Sequence, residues 1–344
     1  MLFAEEELVD RHVGIGEYRG LEFLHVNARR VINEVPAASR MPFRFTINAY
    51  RGCSHACVYC FARPTHEYLG LGIGEDFERK LVVKVNAVER VRAELRSPRW
   101  RGDHIAMGTN TDPYQRAEGR YHLTRGIVEA LGDARNPFSI LTKSTLILRD
   151  LDLLVAAAAR TDVRCNLSIG TVDEAVWKAT EPGTPHPRRR IEAVQRLNDA
   201  GIPTGVLMAP IIPGWSDAPE QLEEVAAACV EAGAVFVTPI VLHLRRGVKE
   251  HFLAFIKEHH PDRHAALARR YARSAYLTPG EQAVIEARVN AVVAPQRRRR
   301  TTADTFGHPT RVDIASPPDA EPTPDAAQAP GAGRNEQLPL ISPT

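Results

Sequence analysis

The sequence has no long apolar run, few cysteines and almost no net charge. No apolar stretch approaches the roughly 18 residues of a membrane helix, and the opening MLFAEEELVDRH lacks the basic and apolar regions of a signal peptide. A formal net charge of +2 neither requires nor excludes a nucleic-acid partner. Five cysteines, an odd number, do not indicate a disulfide framework. We therefore expect a cytoplasmic protein without a membrane anchor.

Short apolar strands alternate with helical stretches through the middle of the chain. The predicted strands are FTINAY (45–50), HIAMGT (104–109), FSILTK (138–143), VRCNLSIG (163–170), PTGVLMAP (203–210) and AVFVTPIVL (234–242). The predicted helices are LVVKVNAVERVRAELR, LTRGIVEALGD, LRDLDLLVAAAAR, PRRRIEAVQRLNDAG and PEQLEEVAAACVEAG. Gly201 and Gly233 follow two of these helices as C-terminal glycines do. This alternation predicts βα units and a parallel sheet shorter than an eightfold barrel.

The composition divides the chain into four segments. Residues 1–44 are an N-terminal extension with no predicted regular structure, residues 45–260 form the predicted core, and residues 261–294 are a helical segment. Residues 295–344 are rich in Pro, Ala, Asp and Thr and poor in aromatics, which predicts disorder. The run Arg297 to Arg300 in this tail indicates either a solvated charge cluster or a contact with nucleic acid.

Three of the five cysteines are clustered in YRGCSHACVYCFARP, at Cys53, Cys57 and Cys60. One interpretation is a structural zinc site closed by a histidine, for which His55 and His66 are available. The other is a four-iron cluster whose fourth iron stays open to a small molecule. The loop follows the first predicted strand, at the edge of the sheet where α/β folds place their chemistry, and this position favours the second interpretation.

The motif Cys-x3-Cys-x2-Cys, with Tyr59 before the last cysteine, resembles the signature of the radical S-adenosylmethionine (SAM) superfamily. The longer string YRGCSHACVYCFARPTHEYLG resembles the branch related to spore photoproduct lyase, and the resemblance runs from Phe43 to His243. It implies a partial (β/α)6 TIM-like barrel in which the three cysteines bind three irons of a [4Fe-4S] cluster. The fourth iron would bind S-adenosyl-L-methionine, whose reductive cleavage yields a 5′-deoxyadenosyl radical.

The resemblance also implies cofactor-binding roles for residues at the later strand ends. Lys143 would pair with the methionine carboxylate, Ser168 would contact the ribose hydroxyls, and Arg190 would point back to the site. Pro210 and Ile211 would present an apolar surface to adenine. The second strand ends in GTNTDPYQ, whose composition also suits an Asx turn. The other candidates for cofactor binding are Tyr59, Thr109, Asn110, Thr111 and Asp112. No catalytic residue is assigned.

The chain departs from spore photoproduct lyases near the second strand end. Those enzymes carry a hydrogen-donating cysteine there, whereas residues 108–110 are Gly-Thr-Asn in this chain. Cys165 and Cys229 lie elsewhere and fit buried small hydrophobic positions. We therefore do not expect thymine-dimer repair by that route. No second cysteine-rich cluster is present in the sequence, so auxiliary-cluster chemistry is not expected either.

The substrate and partners are hypotheses drawn from the family and from basic stretches such as Arg90 to Arg101. A nucleic acid or nucleotide is the leading substrate hypothesis, and fold analogy is weak evidence for it. A reductant protein such as flavodoxin or ferredoxin is expected as the electron donor. The alternative is a zinc-stapled nucleic-acid-binding protein without turnover.

Overall fold

The structure is a computed structural model, and it describes residues 6–39 and 41–300. The N-terminal extension, for which no regular structure was predicted, contains three strands: β1 (Glu6–Val13), β2 (Glu22–Ala28) and β3 (Ile32–Glu34). Strands β1 and β2 pair antiparallel, and a 3₁₀ turn (Gly16–Tyr18) lies between them. A second 3₁₀ turn covers Ala37–Ser39. The segment was missed because its mixed composition lacks clear strand periodicity.

The larger sheet is the predicted open barrel. The remaining strands are β4 (Phe45–Ile47), β5 (Tyr50–Arg51), β6 (Lys80–Lys84), β7 (Ile105–Met107), β8 (Phe138–Thr142), β9 (Val163–Ser168), β10 (Thr204–Ile211) and β11 (Val237–Val241). Seven strands join in the order β11-β10-β9-β8-β7-β4-β3. All neighbours from β4 to β11 are parallel, and β3 is antiparallel to β4. The predicted partial (β/α)6 barrel is therefore confirmed.

A second sheet of four strands has the order β1-β2-β6-β5. It corrects one prediction, because LVVKVNAVERVRAELR begins as strand β6 and becomes helical only at Ala87. Leu81, Val82 and Val83 are all completely buried, so this apolar run lies between packed layers on both faces. A short apolar run of this kind fits a buried strand and a buried helix equally well by periodicity.

Helices lie between successive strands and, after the last strand, at the end of the described part of the chain. They are α1 (Glu75–Arg79), α2 (Ala87–Leu95), α3 (Arg116–Tyr121), α4 (Leu123–Asp133), α5 (Leu151–Ala158), α6 (Glu174–Thr180), α7 (Pro187–Asp199), α8 (Pro219–Glu231), α9 (Val248–His259), α10 (Pro261–Arg270) and α11 (Pro279–Arg300). Further 3₁₀ turns cover Arg63–Leu69 and Thr145–Asp150. Gly201 and Gly233 have φ values of 82° and 79°, as expected of residues that end helices. Within the described ranges, no helix has the length and apolar character of a membrane span.

Helix α11 changes the predicted C-terminal boundary. It runs to Arg300 with Pro295 inside it, so the first six residues of the predicted disordered segment, 295–300, are helical. Ile285, Val289 and Val293 recur at intervals of four and are buried, which anchors the preceding turns. Gln and Arg after Pro295 are good helix formers and allow the helix to continue. The rest of the predicted disordered tail, residues 301–344, lies outside the described residues.

Parallel strands bring their carboxyl ends to one edge of the sheet. In β8 the side chains alternate, with Phe138, Ile140 and Thr142 buried and those between them partly exposed. The next residue after β8 is Lys143, and the last residue of β9 is Ser168. The cysteine loop follows β4 and the short strand β5 at the same edge. The topology therefore gathers the predicted site residues in one place.

Candidate functional site

The cysteine loop lies between β5 and the 3₁₀ turn at Arg63–Leu69. Cys53 and Cys57 are buried and Cys60 is half-buried. Burial raises the pKa of all three thiols, that of Cys57 to about 12, and the neighbouring thiols raise the pKa of Cys53 further. Buried thiols of this kind become thiolates when a cation replaces the proton. The donor set therefore fits a buried metal group.

The positions of the three thiols can be compared with the geometry of a single zinc ion. Three thiolates on one zinc ion lie about 3.8 Å apart, given a Zn–S bond of about 2.3 Å. Within the described ranges, Cys53, Cys57 and Cys60 do not form a group whose ligand atoms all lie within 4.8 Å of one another. Thiolates that bind different irons of one cluster need not lie this close together.

Each nearby histidine uses one ring nitrogen within the protein, and the buried Nδ1 atom of His66 has no hydrogen-bond partner. The Nδ1 atom of His55 lies 3.4 Å from a carboxylate oxygen of Asp112. The Nε2 atom of His66 lies 2.9 Å from the carbonyl oxygen of Lys80, and His66 is completely buried. Both histidines therefore support the loop and its surroundings.

The segment after β7 holds the start of the loop. The carbonyl oxygen of Gly52 accepts hydrogen bonds from Thr111 Oγ1 (2.6 Å) and Gln115 Nε2 (3.0 Å). Gln115 Oε1 accepts a hydrogen bond from the Ser54 amide at 2.9 Å. Gly52 has φ of 77°, and a Cβ there would lie 2.8 Å from the ring of His66 and from the Phe77 carbonyl oxygen. The loop conformation therefore requires both glycine and this clamp.

Arg63 holds the other half of the loop. Its guanidinium is completely buried and donates to the carbonyl oxygens of Cys57 (3.0 and 2.9 Å), Ile73 (2.9 Å) and Gly74 (3.1 Å). It also pairs with Glu78, which balances its charge. One buried cation thus fixes several carbonyl groups, including that of a candidate ligand residue.

Gly183 brings the segment after α6 against the loop. Its amide donates to the carbonyl oxygen of His55 at 3.0 Å, and the amide of Val58 donates to the carbonyl oxygen of Thr180 at 3.1 Å. A Cβ on Gly183 would lie 2.2 Å from the carbonyl oxygen of Ser54. No side chain fits at that distance, so the close approach depends on glycine.

Lys143 lies at the centre of a buried polar network at the strand ends. Its Nζ donates to Ser168 Oγ (2.8 Å), Glu181 Oε1 (2.9 Å) and the Ala209 carbonyl oxygen (3.1 Å). The Tyr59 hydroxyl donates to the same Glu181 oxygen. Ser168 Oγ also donates to the Ala209 carbonyl oxygen at 2.8 Å. The structure therefore brings together three of the predicted residues around an acid that sequence reasoning left unassigned.

Arg190 completes this network from α7. It is completely buried, its Nη2 lies 2.5 Å from Glu181 Oε2, and its Nη1 donates to the carbonyl oxygen of Ser168 at 3.0 Å. Burial alone would raise the pKa of Glu181, but Arg190, Lys143 and the Tyr59 hydroxyl together lower it to about 2. Glu181 is therefore ionised at neutral pH and neutralises part of the charge of two cations.

Asp112 supports the site through hydrogen bonds to the end of β8 and within its own turn. Its oxygens accept hydrogen bonds from Thr142 Oγ1 (2.6 Å), the Lys143 amide (2.7 Å) and the Tyr114 amide (2.8 Å). Burial alone would raise the pKa of Asp112, but His55 and these hydrogen bonds keep it below its usual value. The contact with the Tyr114 amide is the predicted Asx-type turn.

The remaining predicted residues are spread around this edge. Thr109 Oγ1 and the Asn110 amide contact the side chain of Asn48 at 3.1 and 3.2 Å, and Asn110 is exposed. Pro210 is half-buried, whereas Ile211 is completely buried in the core and presents no surface to a ligand. Tyr59, Lys143, Ser168 and Arg190 therefore meet around Glu181, and Asn110 and Ile211 do not join them.

The two cysteines outside the loop, Cys165 and Cys229, are completely buried, on β9 and α8 respectively. Burial raises the pKa of each thiol to about 12. They fill core positions, as their sequence context predicted.

Sequence reasoning missed three residues of the site: Glu181, Gln115 and Arg63. Gln115 lies in GTNTDPYQ and Arg63 in YRGCSHACVYCFARP, whereas Glu181 lies between the fourth predicted strand and the arginines that include Arg190. Their roles depend on burial, which a motif does not show.

An exposed aromatic group lies next to the cysteine loop. Phe61, the residue after Cys60, is 54% exposed, and its ring centroid lies 6.2 Å from that of His243. The His243 ring stacks on Tyr276 at 5.7 Å, and Arg245 donates to the Tyr276 hydroxyl at 3.1 Å. Burial and the nearby arginine lower the pKa of His243 to about 4. We call Phe61, His243 and Tyr276 the aromatic rim.

Comparison with known proteins identifies the family. Residues 47–229 match the Radical SAM superfamily, which is more than half of the chain, so the chain belongs to this superfamily. An uncharacterized protein of Mycobacterium bovis is 42% identical over 287 residues, covering 83% of this chain and 84% of that protein. An uncharacterized protein of Methanocaldococcus jannaschii is 32% identical over 199 residues, covering 57% of this chain and 70% of that protein.

Solved structures give the same fold. A spore photoproduct lyase variant with bound S-adenosylmethionine and dinucleoside spore photoproduct has a TM-score of 0.54 and 18% identity. The match covers 79% of each chain. The predicted superfamily is confirmed, and the predicted likeness to spore photoproduct lyase is confirmed for the fold.

Proposed function

We propose that this protein is a radical SAM enzyme whose Cys53, Cys57 and Cys60 hold a [4Fe-4S] cluster. The observation that carries the proposal is three thiols, two of them buried and one half-buried, on one loop at the carboxyl edge of a parallel barrel. When bound, the cluster supplies the electron that cleaves S-adenosyl-L-methionine to a 5′-deoxyadenosyl radical. The protein supplies binding, orientation and the exclusion of water.

The polar network gives Lys143 and Arg190 their role in this proposal. Both cations are held at the strand ends by Glu181, whose single negative charge cannot neutralise two positive charges. The surplus positive charge favours a bound carboxylate. We assign the methionine carboxylate to Lys143 and the ribose to Ser168, and Arg190 orients Glu181. When the carboxylate binds, Lys143 gives up one of its hydrogen bonds to the protein and donates to the ligand instead.

The first experiment is anaerobic reconstitution with iron and sulfide, followed by iron analysis of the cysteine variants. We expect Cys53→Ala, Cys57→Ala and Cys60→Ala to lose the cluster, whereas Cys165→Ala and Cys229→Ala keep it. The reduced wild-type protein is then expected to release 5′-deoxyadenosine from S-adenosyl-L-methionine. A colourless protein whose bound zinc is lost in Cys53→Ala, Cys57→Ala and Cys60→Ala would instead favour the alternative, a zinc-stapled nucleic-acid-binding protein.

A second experiment tests the carboxylate assignment. Lys143→Ala is expected to weaken S-adenosyl-L-methionine binding about tenfold, because one charge-assisted hydrogen bond is lost. Its iron content is expected to match that of the wild type, since no thiol is altered. The matched control is Lys178→Ala, which breaks an exposed pair with Glu174. Equal affinity of the Lys143 variant and the wild type would remove Lys143 from the binding site.

We further propose a nucleotide or nucleic acid as the substrate. The aromatic rim next to Cys60 supports this proposal, because the exposed Phe61 ring and the half-buried Tyr276 ring beside Arg245 can stack bases and attract phosphate. The basic stretch from Arg90 to Arg101 supports it less, since Arg92 already pairs with Glu129 at 2.6 Å. Phe61→Ala and Tyr276→Ala are expected to weaken oligonucleotide binding. Tyr68→Ala, which removes an aromatic side chain that is 61% exposed, is the control.

The electron donor is proposed to be a reductant protein such as flavodoxin or ferredoxin, because the chemistry consumes one electron. Cofactor cleavage with reduced flavodoxin is compared with cleavage under dithionite. If the protein cleaves the cofactor with dithionite but not with reduced flavodoxin, another donor serves this protein.

A further inference from the structure

Two histidines and an aspartate meet on the small N-terminal sheet. Asp10 and His12 lie two residues apart on β1, and so point to the same side of the sheet. His25 on β2 is paired directly with Asp10 in the antiparallel ladder. A register shift between Leu8 and Asp10 sets this pairing. The strands therefore bring three side chains from two segments to one place.

The potential ligand atoms are close together. His12 Nε2 lies 3.0 Å from Asp10 Oδ2, and the His12 and His25 rings are 4.5 Å apart between centroids. One ligand atom from each residue lies within 4.8 Å of the other two, the one such group of His, Cys, Asp and Glu in residues 6–39 and 41–300. The other oxygen of Asp10 accepts a hydrogen bond from the Arg11 amide at 2.7 Å, which orients the carboxylate.

The surroundings of His25 prepare it to bind a metal. Its Nε2 lies 2.7 Å from the hydroxyl of Tyr121 on α3, which can accept the Nε2 proton and leave Nδ1 with a free lone pair. This arrangement leaves Nδ1 available to a metal ion, which takes the place of a proton there.

We propose that Asp10, His12 and His25 bind a divalent transition-metal ion of the zinc type, with Tyr121 orienting His25. Two imidazoles and one carboxylate suit zinc, whereas calcium and magnesium prefer oxygen ligands alone. Three protein ligands leave one position for water. The ion would join the edge strand β1 to β2, and β2 pairs in turn with β6. This site is independent of the thiols proposed to hold the cluster.

The test uses the full chain with its cysteine loop already loaded with iron and sulfide, so that the thiols are occupied. The protein is dialysed against zinc chloride, and bound zinc is measured together with X-ray absorption at the zinc edge. We expect one zinc per chain with ligands at about 2.0–2.1 Å, the distance of nitrogen and oxygen. Zinc bound only at about 2.3 Å, the distance of sulfur, would overturn the proposal.

Single variants locate the site. His12→Ala and His25→Ala are expected to lower zinc affinity at least tenfold, and Tyr121→Phe about tenfold, since loss of an outer hydrogen bond weakens metal sites by about 10–100-fold. His259→Ala is the matched control, because it removes an exposed histidine that lies 4.0 Å from Glu258 but has no third ligand. Wild-type zinc affinity in both histidine variants would exclude this site.

Hydrogen exchange provides a readout that does not depend on activity. If the ion joins β1 to β2, zinc slows exchange of the β1 amides in the wild type and leaves them unchanged in His25→Ala. Equal slowing in both proteins would show that zinc acts elsewhere.

Discussion

At the scale of single residues, Glu181 is the charged group on which the site depends most. It is a buried carboxylate between a half-buried cation, Lys143, and a completely buried one, Arg190, and all three lie in one hydrogen-bonded network. Removing one charge from such a group leaves the others without compensation, and this costs more than the net contribution of the ion pair. The residue therefore couples the stability of the barrel to the geometry of the proposed cofactor site.

Glu181→Gln is expected to lower the free energy of unfolding by about 3 kcal/mol, because it leaves the buried Arg190 and the half-buried Lys143 without their common anion. Urea denaturation under anaerobic conditions measures the change. Glu224→Gln is the matched control, since its pair with Arg188 is exposed and contributes at most about 1 kcal/mol. Equal losses in the two variants would contradict the central role assigned to Glu181.

His243 gives a second prediction, on pH dependence. In the unfolded chain a histidine takes up a proton near pH 6.5, whereas in the folded protein the pKa of His243 is lowered to about 4. Between these values the unfolded state binds more protons, so stability falls as the pH decreases from about 6.5 to about 4. The contribution is at most about 3 kcal/mol.

The measurement compares the wild type with His243→Gln at pH 7.5 and pH 5. Between pH 7.5 and pH 5 the variant is expected to lose less free energy of unfolding than the wild type, because its glutamine cannot be protonated. Every other histidine is common to both proteins. His259→Gln serves as the control at an exposed position. An unchanged pH dependence in the His243 variant would show that burial does not shift its titration.

The sequence alone was sufficient to predict the positions of residues that share one loop or directly follow a predicted strand. Cys53, Cys57 and Cys60 share one loop, and Lys143 directly follows a predicted strand, so spacing and strand order place them together. Glu181 could not be assigned in this way, because its burial depends on how α6 and α7 pack against the strand ends. A charged residue in a turn is normally solvated, and only tertiary structure shows the exception.

At the scale of elements, the cysteine loop depends on the segments that pack on it. Gly183→Ala is expected to displace the loop, because the added Cβ would lie 2.2 Å from the Ser54 carbonyl oxygen, which belongs to rigid backbone. We expect the variant to bind less than half of the wild-type iron after reconstitution, by the same mechanism that makes overpacking costly in cores. Iron and sulfide analysis with circular dichroism measures the effect and the fold.

Gly201→Ala is the control for that variant. Gly201 has φ of 82° with no atom within 4 Å of an added Cβ, so the substitution costs about 1 kcal/mol in backbone strain without touching the loop. It is expected to retain full iron. If Gly201→Ala lost as much iron as Gly183→Ala, general instability and not displacement of the loop would account for the result.

Elements whose sequences show one clear hydrophobic period were predicted correctly. Elements whose apolar runs fit both a strand and a helix were not. The alternation in β8 and the amphipathic pattern of α7 follow directly from their sequences. The run Lys80–Lys84 carries no such information, because a strand buried on both faces has no polar side. Its identity as a strand is set by pairing with β2 and β5, which lie far away in sequence.

At the scale of the whole molecule, the barrel was predictable because each βα unit repeats the same local rules. The N-terminal sheet was not, since β2 pairs with β6 across more than fifty residues of sequence. Long-range pairing of this kind has no local signal. The same sheet carries the three residues of the proposed zinc site, which therefore became visible only from the structure.

The last prediction concerns the C-terminal boundary. A chain that ends at Arg300 is expected to bind iron and cleave S-adenosyl-L-methionine as the full chain does, because residues 301–344 contain no apolar periodicity. A chain that ends at Thr278 is expected not to fold stably. It lacks α11 and with it Ile285, Val289 and Val293, each of which is buried and contributes about 1.5–3 kcal/mol.

A third chain, ending at Gln296, separates folding from polyanion binding. It keeps the buried residues of α11 but lacks Arg297 to Arg300, so iron binding and cofactor cleavage are expected to be unchanged. If those arginines contact phosphate, its oligonucleotide affinity is lower than that of the chain ending at Arg300, and the difference shrinks at high salt because the release of each counterion becomes less favourable. Fluorescence anisotropy at two salt concentrations measures this. Equal affinity at low salt would assign the arginine run to solvation, and loss of cleavage would show that the last turn of α11 supports the barrel.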